Sequence, residues 1–177
     1  RNHIQNMKNR LDGDQGELEQ YLDELADDLT QTDTSIQTGN VMADAVLNSK
    51  LSVAEQKSIQ LNVKAHIPKG IEMTDVEMCS VLGNLLDNAI EACEKLPCDK
   101  RFLRVYIDKF KGQFYLSVQN SSPSIQRDKG IFRTTKAGTH GFGLFRIDRI
   151  AKKYGGYVNR QYEEGVFATE LLLPLSG

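Results

Sequence analysis

The run from Glu77 to Lys95, Glu-Met-Cys-Ser-Val-Leu-Gly-Asn-Leu-Leu-Asp-Asn-Ala-Ile-Glu-Ala-Cys-Glu-Lys, constrains the chain more than any other stretch. At the helical period Leu82, Leu85, Leu86, Ala89 and Cys93 recur at three- and four-residue steps and form one apolar stripe. Such a stripe has to be covered, and a sheet is the natural cover. Asn84, Asp87, Asn88 and Glu91 fall on another side of the same helix. An amide oxygen is a hard, neutral ligand suited to Mg²⁺ that keeps waters and phosphate oxygens in its shell. Two asparagines one turn apart point the same way. Taken alone, Asn84 and Asn88 read equally well as a solvated polar face, the more common use of amides on amphipathic helices.

A second stretch, Lys136-Ala-Gly-Thr-His-Gly-Phe-Gly-Leu144, places Gly138, Gly141 and Gly143 in a loop that runs into an apolar-periodic helix. Small residues before a helix N-terminus let backbone N–H groups approach an anion, and the helix dipole favours negative charge there. Turns also use glycine for its backbone freedom alone, so this spacing is weak by itself. Together the two stretches carry more. Asn84-Leu-Leu-Asp-Asn-Ala-Ile-Glu-Ala92 resembles the N-box, and His140-Gly-Phe-Gly-Leu144 the second glycine box, of the GHKL ATPases, in matching order and spacing. Within that superfamily the wording resembles sensor histidine kinases of the AgrC-like (peptide quorum-sensing) and citrate-sensor-like branches, from Arg1 to Pro174. The resemblance implies ATP and Mg²⁺ as ligands, with Asn88 on the metal and Asn84, Asp87, Gly138, His140, Gly141, Gly143 and Leu144 around the nucleotide.

Composition narrows the class from another direction. The chain has 177 residues, 40% of them hydrophobic, enough for one good core with a helical appendage. A net charge of −2 supplies no basic field, so nucleic acid is not an expected partner. Cys79, Cys93 and Cys98 are odd in number and lack metal-type spacing, and read as reduced cytoplasmic thiols. No apolar run reaches the roughly 18 residues needed to cross a bilayer. Any membrane-embedded sensor region is therefore expected outside these residues, and Arg1 in mid-pattern reads as the start of a piece of a bacterial membrane protein's cytoplasmic part.

Along the chain, Ile4, Met7 and Leu11 step at helical spacing, Asp12-Gly13-Asp14 breaks the pattern, and Leu18, Leu22, Leu25, Leu29 and Ile36 resume it. Residues 1–38 thus read as a helical hairpin. One narrow stripe per helix cannot bury itself, so a four-helix homodimer is expected, the other option being a hairpin folded onto its own domain. Arg1-Asn2-His3 matches the last three positions of a pattern like His-Asp-x-Arg/Lys-Asn-His in the family. This implies a phosphoacceptor histidine just before residue 1; His3 as acceptor is the alternative, though its next residue, Ile4, is not acidic.

Residues 39–177 read as one domain. Asn40 is an N-cap candidate for a helix from Val41 to about Lys57, with Val41, Ala45, Val46, Leu51 and Val53 as its apolar set. Ile59 to Ala65 alternates as a half-buried strand. Phe102–Ile107 and Gln113–Val118 form a hairpin across Lys111-Gly112; Phe142–Tyr154 is a helix closed by Gly155-Gly156; Tyr157–Tyr162 and Val166–Leu173 form a final hairpin. The order predicts an α/β sandwich, a mixed and mostly antiparallel sheet with helices on one face, matching the Bergerat fold that the resemblance implies.

Between Asn120 and Gly143 the sequence is small and polar except for Ile131-Phe132, and a loop of that length is a functional element or disordered. The resemblance makes it an ATP lid, with Phe132 anchoring it and Lys136 either reaching phosphate or solvated. Two departures stand out. The family carries Asp-x-Gly-x-Gly after the strand ending at Val118, its Asp accepting from the adenine amine, whereas this chain has Asn120-Ser-Ser-Pro-Ser124. An amide oxygen can accept the same bond without charge assistance. Ser80 stands where many kinases have a histidine. The expected function is phosphoryl transfer from Mg-ATP to a histidine and then to a response regulator aspartate; the alternative is a phosphotransfer or scaffold module with little ATP affinity.

Overall fold

The computed structural model describes residues 35–124, 127–128, 131–132 and 142–177. The hairpin of residues 1–38 lies outside them except for its last residues, as do His3, Lys136, Gly138, His140 and Gly141. Residues 36–177 form one compact unit.

Helix α1, Val41–Gln56, starts where its cap predicts: the Asn40 side chain accepts from the Ala43 N–H at 3.0 Å. Its buried face is different from the one expected. Ala43, Leu47, Leu51 and Ala54 are buried, whereas Val41 is 82% and Val53 38% exposed and Ala45 is also exposed. Of the expected set only Leu51 is buried and Val46 half-buried. The cause lies in the preceding segment. Asp44 accepts from the Thr38 N–H at 2.7 Å and its hydroxyl at 2.5 Å, while Asn48 exchanges bonds with the Ile36 N–H and C=O. Those ties fix the rotation of α1 and leave the valines outside.

Strand β1, Gln60–Ala65, half-buries alternate residues and pairs in parallel with β2. Parallel neighbours need a crossover, and α2, Asp75–Glu94, supplies it. Thr74 caps α2 through a reciprocal capping box: its hydroxyl accepts from the Glu77 N–H, and the Glu77 carboxylate accepts from the Thr74 N–H. All five stripe residues are buried, together with Met78, Val81 and Ile90. After a short turn of 3₁₀ helix, β2 (Phe102–Phe110) and β3 (Gln113–Ser121) form the expected hairpin. Lys111 and Gly112 both have positive φ, 49° and 77°, as a tight two-residue hairpin turn requires.

Both strands run three residues further than alternation alone predicts: β2 continues to the turn with Asp108, Lys109 and Phe110 opposite Tyr115, Phe114 and Gln113, and in β3 the polar pair Asn120 and Ser121 continues the ladder opposite Phe167 and Val166. Within the stretch expected to be a bare loop, β4 (Arg127–Asp128) and β5 (Ile131–Phe132) pair as a short antiparallel ladder. Helix α3 spans Phe142–Lys153, and β6 (Tyr157–Glu163) and β7 (Val166–Pro174) close the sheet in the order β1-β2-β3-β7-β6. Leu103, Val105, Ile107, Phe114, Leu116, Val118, Leu171 and Leu173 face one way and are buried with the helix cores, while Tyr106 and Phe110 on the opposite face remain exposed. The result is the expected two-layer α/β sandwich with a mixed sheet.

Candidate functional site

Helices α2 and α3 run antiparallel along a seam that leads from the start of α2 to the start of α3. At the first end the Glu77 carboxylate gathers the Thr74 N–H and hydroxyl, the Lys153 ammonium at 2.6 Å and the Tyr154 hydroxyl. The bond from Lys153, then that from Tyr154, holds its pKa down at about 2. One turn on, the Arg146 guanidinium approaches the Ser80 hydroxyl at 3.4 Å. Ser80, where many kinases carry a histidine, thus serves as a small polar bridge between the helices.

At the far end Asn84 meets Gly143. The Asn84 amide donates to the Ser80 carbonyl at 2.6 Å, which fixes its oxygen toward α3. A methyl group on Gly143 would come within 2.6 Å of that oxygen and 3.3 Å of the amide carbon. Only glycine allows this approach without displacing Asn84. Two residues far apart in sequence and singled out separately, one for an amide face and one for a phosphate cradle, are therefore in contact. Leu144, half-buried, follows in the first turn of α3.

Along the same face of α2, Asp87 is engaged by Lys50 from α1 at 2.6 Å, so its carboxylate has a structural partner. Asn88 is half-buried, and its side chain has no hydrogen-bond partner among the described residues. Asn120 lies inside β3 rather than beyond its end, 3% exposed on the helix-facing side, opposite Leu103 and Phe167. Its amide donates to the Ser121 carbonyl at 3.0 Å. Phe132 is in β5. Sequence reasoning passed over Arg160, which reaches from β6 to α3; a single arginine in a strand offers no pattern by which to find it. The Thr74-x-x-Glu77 spacing, by contrast, was a readable capping signal.

No group of three or more His, Cys, Asp or Glu residues that could hold a metal occurs among the described residues. Any divalent ion here would take most of its ligands from elsewhere, the usual habit of Mg²⁺ on phosphates and water.

The model of the GHKL domain family matches residues 72–174, from just before α2 to the end of β7. The chain belongs to the GHKL domain family. The chain is similar to three curated sensor proteins. It is 23% identical over 162 residues to sensor histidine kinase NatK of Bacillus subtilis, covering 87% of this chain and 51% of NatK. It is 27% identical to sensor protein CitS of Halalkalibacterium halodurans (64% of this chain, 23% of CitS) and 29% identical to sensor histidine kinase DcuS of Escherichia coli (60% and 20%). The chain thus spans about half the length of NatK and a smaller share of the other two.

Among solved structures, a nucleotide-free catalytic domain of histidine kinase ThkA matches with a TM-score of 0.63 at 20% identity, covering 79% of this chain and 96% of that one. The mycobacterial sensor histidine kinase MprB matches at 0.59 and 19% identity, covering 76% and 93%. At such identities these matches speak for the fold. Histidine kinase domains of the GHKL family bind ATP, typically with Mg²⁺. The residues of this GHKL domain fit that pair: the Asn88 side chain offers a hard oxygen not committed to another described residue, and the Asn84–Gly143 contact leaves no room for a side chain at position 143.

Proposed function

We propose that this chain is the cytoplasmic kinase region of a bacterial sensor histidine kinase, an ATP-dependent protein histidine kinase of a two-component system. The observation that carries the reading is the contact between Asn84 and Gly143, because it joins the amide face of α2 to the glycine-bearing N-terminus of α3 within a GHKL domain. ATP binds between α2 and the stretch from residue 120 to 143. Asn88 holds Mg²⁺, which neutralises phosphate charge; Lys136, Gly138, His140, Gly141, Gly143 and Leu144 line the phosphates; Asn84 and Asp87 support the face; Asn120 accepts the adenine amine; Phe132 anchors the lid. Positioning and charge neutralisation do most of the work in phosphoryl transfer.

The acceptor is a histidine on the helical hairpin of residues 1–38, just before residue 1 or His3, and a response regulator aspartate receives the group in turn. The hairpin makes the homodimer, and a membrane sensor region belongs to the rest of the protein. No helix among the described residues is long and apolar enough to cross a membrane. The similarity to NatK, CitS and DcuS supports the sensor-kinase reading.

One observation favours a second reading, a GHKL module with weak ATP binding: Asn120, in place of an aspartate, is a neutral group already bonded to the Ser121 carbonyl. Calorimetric titration with a non-hydrolysable ATP analogue, with and without Mg²⁺, separates the two. Mg²⁺-dependent binding supports the kinase; no binding of the analogue in either condition supports the module.

A further inference from the structure

The arginine on β6 that no motif marks sits directly beneath the helix turn that Gly143 opens. Arg160 lies in register with Thr169 of β7, which is in turn opposite Val118 of β3, and both of those residues are buried on the helix side of the sheet. Its side chain is only 14% exposed. One arm of the guanidinium, Nη1, pairs with the Asp148 carboxylate at 2.9 Å, and the other, Nη2, donates toward the Leu144 carbonyl at 3.4 Å. Leu144 and Asp148 are one turn apart on α3, so the planar fork spans the first part of that helix. The third donor, Nε, is buried without a partner among the described residues.

Stability alone is weak grounds for an arginine here, because a well-packed apolar chain of the same length would fill the space without carrying a charge into it. What the arginine does that an apolar side chain cannot is grip two fixed points of one helix turn at once. The carbonyl it grips belongs to Leu144, the residue that follows Gly143. We propose that Arg160 is a positioning residue, which fixes the first turn of α3 and through it the Gly143–Asn84 contact that shapes the phosphate end of the nucleotide site. This rests on the nucleotide-binding reading above and adds to it a residue on the far side of α3 from the ligand.

The consequence is selective. A displaced first turn moves the backbone that faces phosphate and leaves the base-binding end untouched. In the full chain, Arg160→Met should weaken a non-hydrolysable ATP analogue with Mg²⁺ about tenfold, since small misplacements of positioning groups have effects of that order or more. Adenosine affinity should stay within about twofold, and Arg160→Lys, which keeps the charge but loses the fork, should recover part of the loss. Backbone hydrogen exchange supplies a readout independent of nucleotide: amides at Ile147 and Asp148 should exchange faster in Arg160→Met, with those at Lys152 and Lys153 unchanged. Equal loss of adenosine and analogue affinity, or exchange accelerated evenly along α3, overturns the assignment and makes Arg160 a general stabiliser. Wild-type protein that binds neither ligand overturns the nucleotide reading and the assignment with it, while the exchange pattern still shows whether Arg160 fixes the turn. If Arg160→Met does not fold, Asp148→Asn and Arg160→Lys carry the same comparisons with smaller changes of the same sign.

Discussion

The two ends of the α2–α3 seam are built in opposite ways. At the Glu77 end a carboxylate gathers donors from its own cap and from the end of α3, and charge assistance makes those bonds strong. At the Asn84 end the described residues show no ion pair between the two helices: a neutral amide meets a glycine, and Arg146 approaches Ser80 at 3.4 Å. One end fastens the helices whatever is bound. The other is shaped by close approach, contributes little standing energy and lies on the same face as Asn88. On the proposed nucleotide-binding reading, stability and ligand recognition are divided along a single helix pair, and mutations at the two ends should affect different observables.

The largest effect is expected at the recognition end. Asn88→Ala should reduce Mg²⁺-dependent affinity for an ATP analogue by on the order of a hundredfold, as removal of groups at a metal site does, with the thermal midpoint unchanged. Calorimetry paired with thermal denaturation checks both halves; unaltered affinity in a folded variant would remove Asn88 from the metal.

At the fastening end, Glu77→Gln should lower stability by about 1 kcal/mol while leaving nucleotide affinity within error. The side chain is 21% exposed, so solvent screening keeps the loss well below what a pKa of about 2 alone would imply. Because folding depresses this pKa, the stabilisation is complete above about pH 4.5 and disappears as the pH falls through about 2. Denaturation curves of wild type and Glu77→Gln should therefore converge across that window, and a difference that stays undiminished down to pH 2 would assign the effect to something other than the charge.

Gly143→Ala reverses the pattern, on a smaller scale than Asn88→Ala. The added methyl must turn the Asn84 amide away from α3, which should cost about tenfold in nucleotide affinity by misplacing the site. Fluorescence titration with a labelled nucleotide reads the loss, and Asn84→Ala in the same background should relieve the clash without restoring affinity. Equal affinity of Gly143→Ala and wild type would mean that the contact does not shape the site.

The smallest effect is expected at the base. Asn120→Asp should shift the ATP-over-GTP preference toward ATP by only several-fold, because a charge-assisted bond is worth roughly 1 kcal/mol more than a neutral one and desolvation of the new carboxylate offsets part of it. Competition binding measures the ratio; if it does not move, Asn120 does not touch the base.

Much of this architecture was legible in the sequence wherever an element's own pattern decides its placement. The stripe of α2 is long and unbroken, and every residue assigned to it is buried. The two-residue turn at Lys111-Gly112 declares itself chemically. Reading failed where a partner distant in the chain decides. The face of α1 is set by the grip of Asp44 and Asn48 on residues 36–38, and valines at 41 and 53 mislead any count of apolar spacing. Apolar alternation ends β3 at Val118 because Asn120 is polar, yet Asn120 takes the next inward slot after Phe114, Leu116 and Val118, with β7 rather than hydrophobicity extending the strand. The contact of Asn84 with Gly143 could not be read at all, since it exists only once two helices dock.

The three cysteines lie at three depths. Cys98 is exposed, Cys79 half-buried and Cys93 fully buried beneath α2, its Sγ–H directed at the Phe102 carbonyl 3.3 Å away. Burial pushes the Cys93 thiol up from its ordinary pKa, so the reactive thiolate is scarce as well as sheltered. Alkylation is thereby a graded clock: Cys98 marks time at the surface, and Cys93 advances only when α2 lifts from the sheet. The helix that carries Asn84 and Asn88 keeps a chemical record of each of its own departures.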